Sequence, residues 1–251
     1  MELLFLGTGA ANWQESDRVL PGFRRKSSVL ADGELLIDAG PDIFRSAEEL
    51  LPDRGLDGVK NILQTHAHGD HLSRESLVRL CALRARRIWG DGGVLCAAGE
   101  IENLEKIPLE PYRAAEIGGF GVTPVEANHP ANPGERPYHY IVEKEGKRLF
   151  YGCDGAWLLY PAWRAISGLS FDLIVLDGTV GEARGDYRNF EHNSLPMVRL
   201  LAETFRERGV LKPGGTVMIS HLAKDLHDEK NISKLPEEGI FPACDGMRIK
   251  L

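Results

Sequence analysis

Short apolar runs alternate along the chain with amphipathic stretches, and Gly, Pro and Asp punctuate the joins. The runs read as strands over Leu3–Leu6, Ser28–Leu30, Glu34–Ile37, Asn61–Gln64, Val122–Ala127, Tyr138–Val142, Leu149–Tyr151, Leu173–Leu176, Thr216–Ile219 and Met247–Lys250. Helical periodicity marks Ile43–Leu51, Ser73–Arg84 and Leu195–Arg208. The last is the clearest. Val198, Leu201, Ala202 and Phe205 share one face, Arg199 and Glu203 stand at i,i+4 spacing for a pair, and Gly209 is placed to cap the end. Strands alternating with helices predict an α/β fold. The only Pro- and Gly-rich loop, Pro130–Pro137, is too short for a linker, so residues 1–251 read as a single domain.

Composition narrows the class. A chain of 251 residues fits one large α/β domain, and folding at that size hides roughly 70% of the unfolded surface. With 43% hydrophobic and 27% charged residues and 28 Gly, disordered, collagen-like and coiled-coil chains are excluded. The formal charge of −7 supplies no global field for a polyanion, so nucleic acid is not the expected partner. No run is long enough for a membrane span, and the opening Met1–Gly7 lacks the basic front of an export signal. Cys81, Cys96, Cys153 and Cys244 are scattered, with no Cys-x-x-Cys pair. Reduced thiols in a cytoplasmic protein are expected.

The histidines carry the chemistry. Three of the eight fall in His66-Ala67-His68-Gly69-Asp70-His71. Imidazoles packed beside a carboxylate are the ligand mixture of a divalent metal. Alternate residues of an extended segment share a side, so His66 and His68 converge as the strand Asn61–Gln64 ends. Asp70 and His71 lie past a glycine and are free to face a second ion.

This motif resembles the signature of the metallo-β-lactamase-fold superfamily, His-x-His-x-Asp-His after a strand, and the resemblance extends over nearly the whole chain. It implies a four-layer αββα sandwich and three further ligands at strand ends, for which His129, Asp154 and His221 stand in order. One ion would take His66, His68 and His129, the other Asp70, His71 and His221, with Asp154 bridging. His139 and His227 are left out because neither follows a strand. Asp38 and Asp177 either hold ligating imidazoles or cap turns before glycine. Ala243–Met247 resembles the family's closing turn.

Two divalent ions, zinc favoured over manganese, would lower the pKa of bound water and set up hydrolysis through a shared hydroxide. Glu191-His192-Asn193-Ser194 resembles the His followed by Ser or Thr of the phosphodiesterase branches, tRNase Z and the phosphoribosyl cyclic phosphodiesterase. The resemblance makes His192 a leaving-group acid or phosphate contact, with amides at the start of the Leu195–Arg208 helix favouring an anion. The alternative is that Asn193 or Ser194 caps the helix and His192 is exposed. Asp70 and His192 are the expected catalytic residues.

No long insertion offers a tRNA-clamping arm, so a small or cyclic phosphodiester is the expected substrate. The cyclic phosphodiesterase carries a cysteine-rich zinc site near its amino terminus, whereas this chain has no Cys before Cys81. The exact diester stays open. So do tRNA 3′ processing, hydrolysis of a thioester, lactone or β-lactam, and a metal-stabilised binding or sensing module without turnover. Arg24-Arg25-Lys26 reaches a substrate phosphate or forms a solvated hairpin, Gly7-Thr8-Gly9 reads as a turn, and Trp157–Trp163 walls the pocket or packs on the core.

Overall fold

The computed structural model describes residues 1–82 and 84–251, together with every side chain among them except that of Glu229. One seven-stranded sheet contains β1 (Glu2–Gly7), β2 (Ser28–Ala31), β3 (Leu35–Ile37), β4 (Asn61–Leu63), β5 (Arg86–Gly90) and β6 (Leu104–Pro108) in that order. The second runs from β7 (Ala115–Ile117) through β8 (Phe120–Glu126), β9 (Tyr138–Lys144), β10 (Lys147–Gly152), β11 (Phe171–Asp177) and β12 (Leu211–Ser220) to β13 (Ile240–Pro242). The carboxy-terminal β14 (Arg248–Lys250) returns to the first sheet beside β1.

Period-two alternation builds the layers. Leu3 and Phe5 of β1 face inward with Val29, Leu35 and Ile37, against Val122, Tyr140, Leu149 and Val175 of the second sheet. Leu4 and Leu6 face outward onto α1 (Ile43–Leu50), α2 (Arg74–Cys81) and α3 (Gly92–Ala97) through Ile43, Ala47, Leu77 and Leu95. On the far side, Ile141, Phe150 and Ile174 pack against α4 (Tyr160–Ile166) and α5 (Leu195–Glu207) through Ala162, Ile166, Val198, Leu201 and Phe205. The result is the expected αββα sandwich. A short α6 (Glu229–Ile232) follows on the carboxy-terminal side.

The expected elements all occur, with ends shifted by a few residues, apart from the tail of Ser73–Arg84. Ser73 lies outside that helix and caps it, its hydroxyl accepting from the Ser76 amide at 3.2 Å; the helix ends at Cys81, and Leu83 lies outside the described residues. Strands β5, β6, β7 and β13 and helices α3, α4 and α6 were not anticipated. Gly209 adopts φ +68° just beyond α5, as a helix-capping glycine does. Arg199 does not pair with Glu203: its guanidinium binds Glu182 and Glu238, which tie α5 to neighbouring loops.

Candidate metal centre

The site is assembled at strand ends. Strand β3 runs into Asp38, β4 into Thr65 and His66, β8 into His129, β10 into Asp154, β11 ends on Asp177, and β12 leads to His221. β3 and β4 are parallel, as are β10, β11 and β12, so their carboxyl ends lie side by side within each sheet. Long connections leave from these ends, which is where parallel sheets offer room for a site.

Asp154 is the centre of the cluster. Its Oδ2 lies 3.1 Å from both His66 Nε2 and His71 Nε2, 3.3 Å from His129 Nε2 and 3.6 Å from His221 Nε2. His129 Nε2 is in turn 3.2 Å from His68 Nδ1, and Asp70 Oδ2 is 3.2 Å from His221 Nε2 and 3.5 Å from His71 Nε2. The structure therefore brings all seven sequence-predicted ligands together in two clusters, His66–His68–His129–Asp154 and Asp70–His71–His221, while a third, Asp154–Asp177–His192–His221, overlaps both. Asp154 stands between the first two. His139 belongs to none of the three; it is fully buried beside Phe150.

The donor set fits divalent ions. His66 Nε2 and His71 Nε2 are buried and have no hydrogen-bond partner among the described residues, although each faces a carboxylate. Burial and the neighbouring His71 charge push the His66 pKa down to about 3, and burial likewise lowers that of His129. At His71 burial is outweighed by Asp70 and Asp38, which hold the metal-free ring protonated, so that an ion bound there would displace that proton. Burial would raise Asp154 and Asp70, but the surrounding imidazoles outweigh it and hold both well below the usual carboxylate range. Neutral imidazoles and ionised carboxylates are the forms that bind metal.

The opposite ring nitrogens are fixed by acceptors, as ligating imidazoles require. His71 Nδ1 lies 2.7 Å from Asp38 Oδ2, and His66 Nδ1 2.9 Å from Thr65 Oγ1, whose own hydrogen goes to Asp38. His221 Nδ1 is 2.8 Å from Thr179 Oγ1, and His129 Nδ1 donates to the Glu191 carbonyl at 2.9 Å. Asp38 thus does hold an imidazole. Asp177 reaches His221 through Thr179 and also accepts from the Thr179 amide, so turn cap and ring support coincide in one residue.

Gln64 was missed altogether. Its buried Nε2 contacts Asp38 Oδ1 at 3.0 Å and the carbonyls of His66 and His71 at 2.9 and 3.0 Å, joining both ends of the ligand hexapeptide. Glu135 adds a bond from the Ala67 amide. The sequence signal for Thr65 and Thr179 was only their place, one before the motif and two after Asp177; for Gln64 there was none.

His192 is not exposed but largely buried. Its Nδ1 donates to Asp177 Oδ2 at 2.8 Å and lies 2.9 Å from Asp154 Oδ1, while its ring stacks on that of His221. Burial opposes a charge here, yet Asp177 and Asp154 prevail and push the pKa up to about 11. The start of α5 offers little to an anion: the Leu195 amide is donated to the Gly181 carbonyl at 2.7 Å, and Pro196 has no N–H. Ser194 occupies the cap position without a side-chain bond.

The basic triplet is also otherwise engaged. Arg24 binds the Thr8 hydroxyl and Ala243 carbonyl, Arg25 pairs with Glu49, and Lys26 Nζ donates to the carbonyls of Ala10, Ala11 and Trp13. These side chains, each half-buried, rivet the amino-terminal loop. Gly7 lies too close to the Lys26 carbonyl to admit a Cβ, and Asp245 of the closing turn accepts from Thr8 and the Arg25 amide. Both features are structural. In the segment after Asp154, Ala162 and Ile166 join the core, whereas Trp157 is 43% exposed.

A two-sheet sandwich with clustered His and Asp ligands along one edge defines a metallo-β-lactamase-fold, metal-dependent hydrolase. The family model for the beta-lactamase superfamily domain matches residues 34–221, and the chain belongs to that superfamily. The fold is similar to that of Zn(2+)-bound PqqB from Methylobacterium extorquens, 19% identical with a TM-score of 0.77 and both chains fully covered. It is also similar to the metallo-beta-lactamase fold protein YhfI from Bacillus subtilis (14% identity, TM-score 0.75, 99% of each chain). Human tRNase Z, short form, is 18% identical, with a TM-score of 0.68 and 100% and 99% of the two chains covered. No curated protein matches the chain.

Proposed function

We propose that this hydrolase is a phosphodiesterase acting on a small or cyclic diester at a binuclear centre. The observation that carries the reading is His192: its Nδ1 faces two carboxylates, Asp177 and Asp154, while its Nε2 makes no hydrogen bond among the described residues. An imidazole held in this way keeps a proton on Nδ1 and presents the second at Nε2, within reach of an oxygen leaving the centre. Likeness in fold to human tRNase Z is consistent with phosphoryl chemistry.

His66, His68, His129 and Asp154 would hold one ion, and Asp70, His71 and His221 the other, with Asp154 shared. Bound there, two divalent ions supply Lewis acidity and a water deprotonated near neutral pH. The chain's own residues do the rest. Asp38, Thr65 and Thr179 fix the ligand rings, Asp177 aims His192, and His192 Nε2 delivers a proton to the departing alkoxide. We assign zinc as the metal, with manganese the alternative permitted by a mixed His/Asp set.

A small substrate is favoured over RNA by the net charge of −7 and by the internal engagement of Arg24, Arg25 and Lys26, which leaves them unavailable for a run of phosphates. A cytoplasmic setting is part of this reading and is supported by four free cysteines; no helix among the described residues is long and apolar enough to cross a membrane.

The test combines elemental analysis with a substrate panel. About two ions per chain are expected, with turnover of bis(p-nitrophenyl) phosphate or a cyclic diester and no specific 3′ cleavage of precursor tRNA. His192→Ala should keep both ions yet lose roughly a hundredfold in turnover of an unactivated diester, and less with a nitrophenyl ester that departs unprotonated. Activity confined to carbon esters, thioesters or lactams would reject the assignment. Steeply salt-dependent cleavage of precursor tRNA would move the protein to RNA processing.

A further inference from the structure

The first sheet carries a second polar recess, at the end opposite the metal centre. Strands β4, β5 and β6 are parallel, so their amino ends lie side by side, away from the strand end that leads to His66. A cavity of about 520 Å³ opens among these amino ends, lined by Lys60 before β4, Ala85, Arg86 and Arg87 at the start of β5, and Asn103 and Glu105 at the start of β6. Lys60, Arg86 and Arg87 set three positive charges in the lining against the single carboxylate of Glu105.

Arg86 is the unusual member. It is only 6% exposed, yet it makes no ion pair with a carboxylate among the described residues. Arginine is almost never buried unpaired, and it cannot shed its proton to escape the cost. Its side chain donates from Nη1 to the adjacent Ala85 carbonyl at 3.3 Å, while the buried Nε has no partner among the described residues. The Nε and Nη2 edge, the fork that meets two oxygens of one oxyanion, is therefore left without an acceptor. Asp57 attracts Arg86 from a distance but stands 4.0 Å from Arg84, a like charge beside Arg86. The end of α2 does not meet the need either, because the Cys81 carbonyl accepts from Asn103 Nδ2 at 3.3 Å. At the rim, Lys60 Nζ lies 3.7 Å from Glu34, and Arg87 Nε donates to Glu105 at 2.8 Å. These four side chains are exposed, and such pairs are worth little, so both rim cations can turn to an incoming anion.

We propose that this recess binds a phosphoryl anion, with the Arg86 guanidinium at its floor and Lys60 and Arg87 at its rim. A tetrahedral dianion suits the arrangement: two oxygens meet the Arg86 fork and the others stay toward the rim cations, whereas a carboxylate has none to spare for the rim. The site lies apart from the metal centre and does not depend on what that centre hydrolyses. Inorganic phosphate and the phosphate group of a monoester share this chemistry.

The test is calorimetric titration of the zinc-loaded protein with inorganic phosphate, glycerol 3-phosphate and acetate at constant ionic strength, repeated for Arg86→Met, Lys60→Ala and Glu105→Gln. Zinc content and melting temperature are checked for each variant. Any phosphate taken by the zinc centre is common to all four proteins, so the site is read from the differences. We expect Arg86→Met to weaken phosphate about tenfold or more and Lys60→Ala about threefold, while Glu105→Gln, which removes the competing carboxylate, strengthens it about twofold. The opposite shifts in the two exposed variants carry the test if Arg86→Met does not fold. A monoester held more tightly than phosphate assigns the site to esters, and the reverse order assigns it to the free ion. Phosphate affinity unchanged across the variants overturns the site, and so does acetate binding as tightly as phosphate with the same dependence on Arg86. A lowered melting temperature of Arg86→Met with phosphate affinity intact would make Arg86 a structural strut and overturn the proposal as well.

Discussion

Replacing Gln64 by Leu keeps the approximate volume of the side chain but removes the amide that joins the two ends of the ligand hexapeptide. Asp38 would not be orphaned, since the Thr65 amide and hydroxyl and the His71 ring still reach it at 2.7–3.0 Å. The loss falls on the carbonyls of His66 and His71, both served by Gln64 Nε2, and on the Ala39 amide, which donates to Gln64 Oε1 at 3.2 Å. A buried polar group left without its partner costs about 1–3 kcal/mol. Allowing for partial relaxation, metal-free Gln64→Leu should be about 2–4 kcal/mol less stable in urea. Removing support from behind metal ligands typically costs about 10–100-fold in affinity, and the same is expected here by chelator competition. The main-chain bonds of residue 64, from its amide to the Trp89 carbonyl and from the Tyr140 hydroxyl to its own carbonyl, do not depend on the side chain. The fold should therefore survive. A loss under about 1 kcal/mol with metal affinity within about threefold of wild type would refute the assignment of Gln64 as the clasp of this loop.

What could be read in the sequence was what repeats or crowds. The apolar run Leu3 to Leu6, the apolar face of α5 and the hexapeptide His66–His71 each show several residues obeying one rule, and the structure contains the corresponding strand, helix and ligand cluster. Elements without such redundancy were invisible. Leu104–Pro108 carries two adjacent charged residues, buries no side chain fully and ends in proline, Ala115–Ile117 is three residues long, and the helix Gly92–Ala97 opens with two glycines. Its start is set by Asp91, whose carboxylate accepts from the Gly93 amide at 2.9 Å. Arg199 illustrates a second limit: helical spacing proposes Glu203, but two carboxylates from elsewhere in the chain compete and win. The orientation of His192 was out of reach for the same reason, because Asp177 and Asp154 meet it only once β10 and β11 lie side by side.

Three further outcomes follow from the surroundings of Asp154. His139 is fully buried and burial pushes its pKa down to about 4, below the ordinary value near 6.5, so folding favours its neutral ring. That contribution is complete above pH ~6.5 and lost as pH falls toward 4, about 3 kcal/mol in all; metal-free His139→Leu should flatten the acid branch of stability against pH, and an unchanged branch refutes this. A Cβ on Gly155 would stand 2.7 Å from His139 Nε2, so Gly155→Ala must shift the turn that aims Asp154. Zinc affinity should fall about tenfold or more, and His139→Ala in the same chain should restore part of it; no rescue would exclude this contact as the cause. Asp154 itself has φ +60°, a conformation shared at the site by Asp38 and His221 and disfavoured for residues with a Cβ. Such strain costs about 1–3 kcal/mol and persists where the surroundings over-determine it. Asp154→Ala and Asp154→Gly should therefore lose metal alike, since neither has a ligand to offer. In the metal-free protein both remove the same carboxylate from the same imidazoles, so these electrostatic effects cancel in the comparison and the backbone difference is left. The glycine variant should be the more stable by about 1 kcal/mol, read as a higher urea midpoint at an unchanged slope. Equal midpoints would mean that this turn carries no strain and that Asp154 is aimed by its side-chain contacts alone.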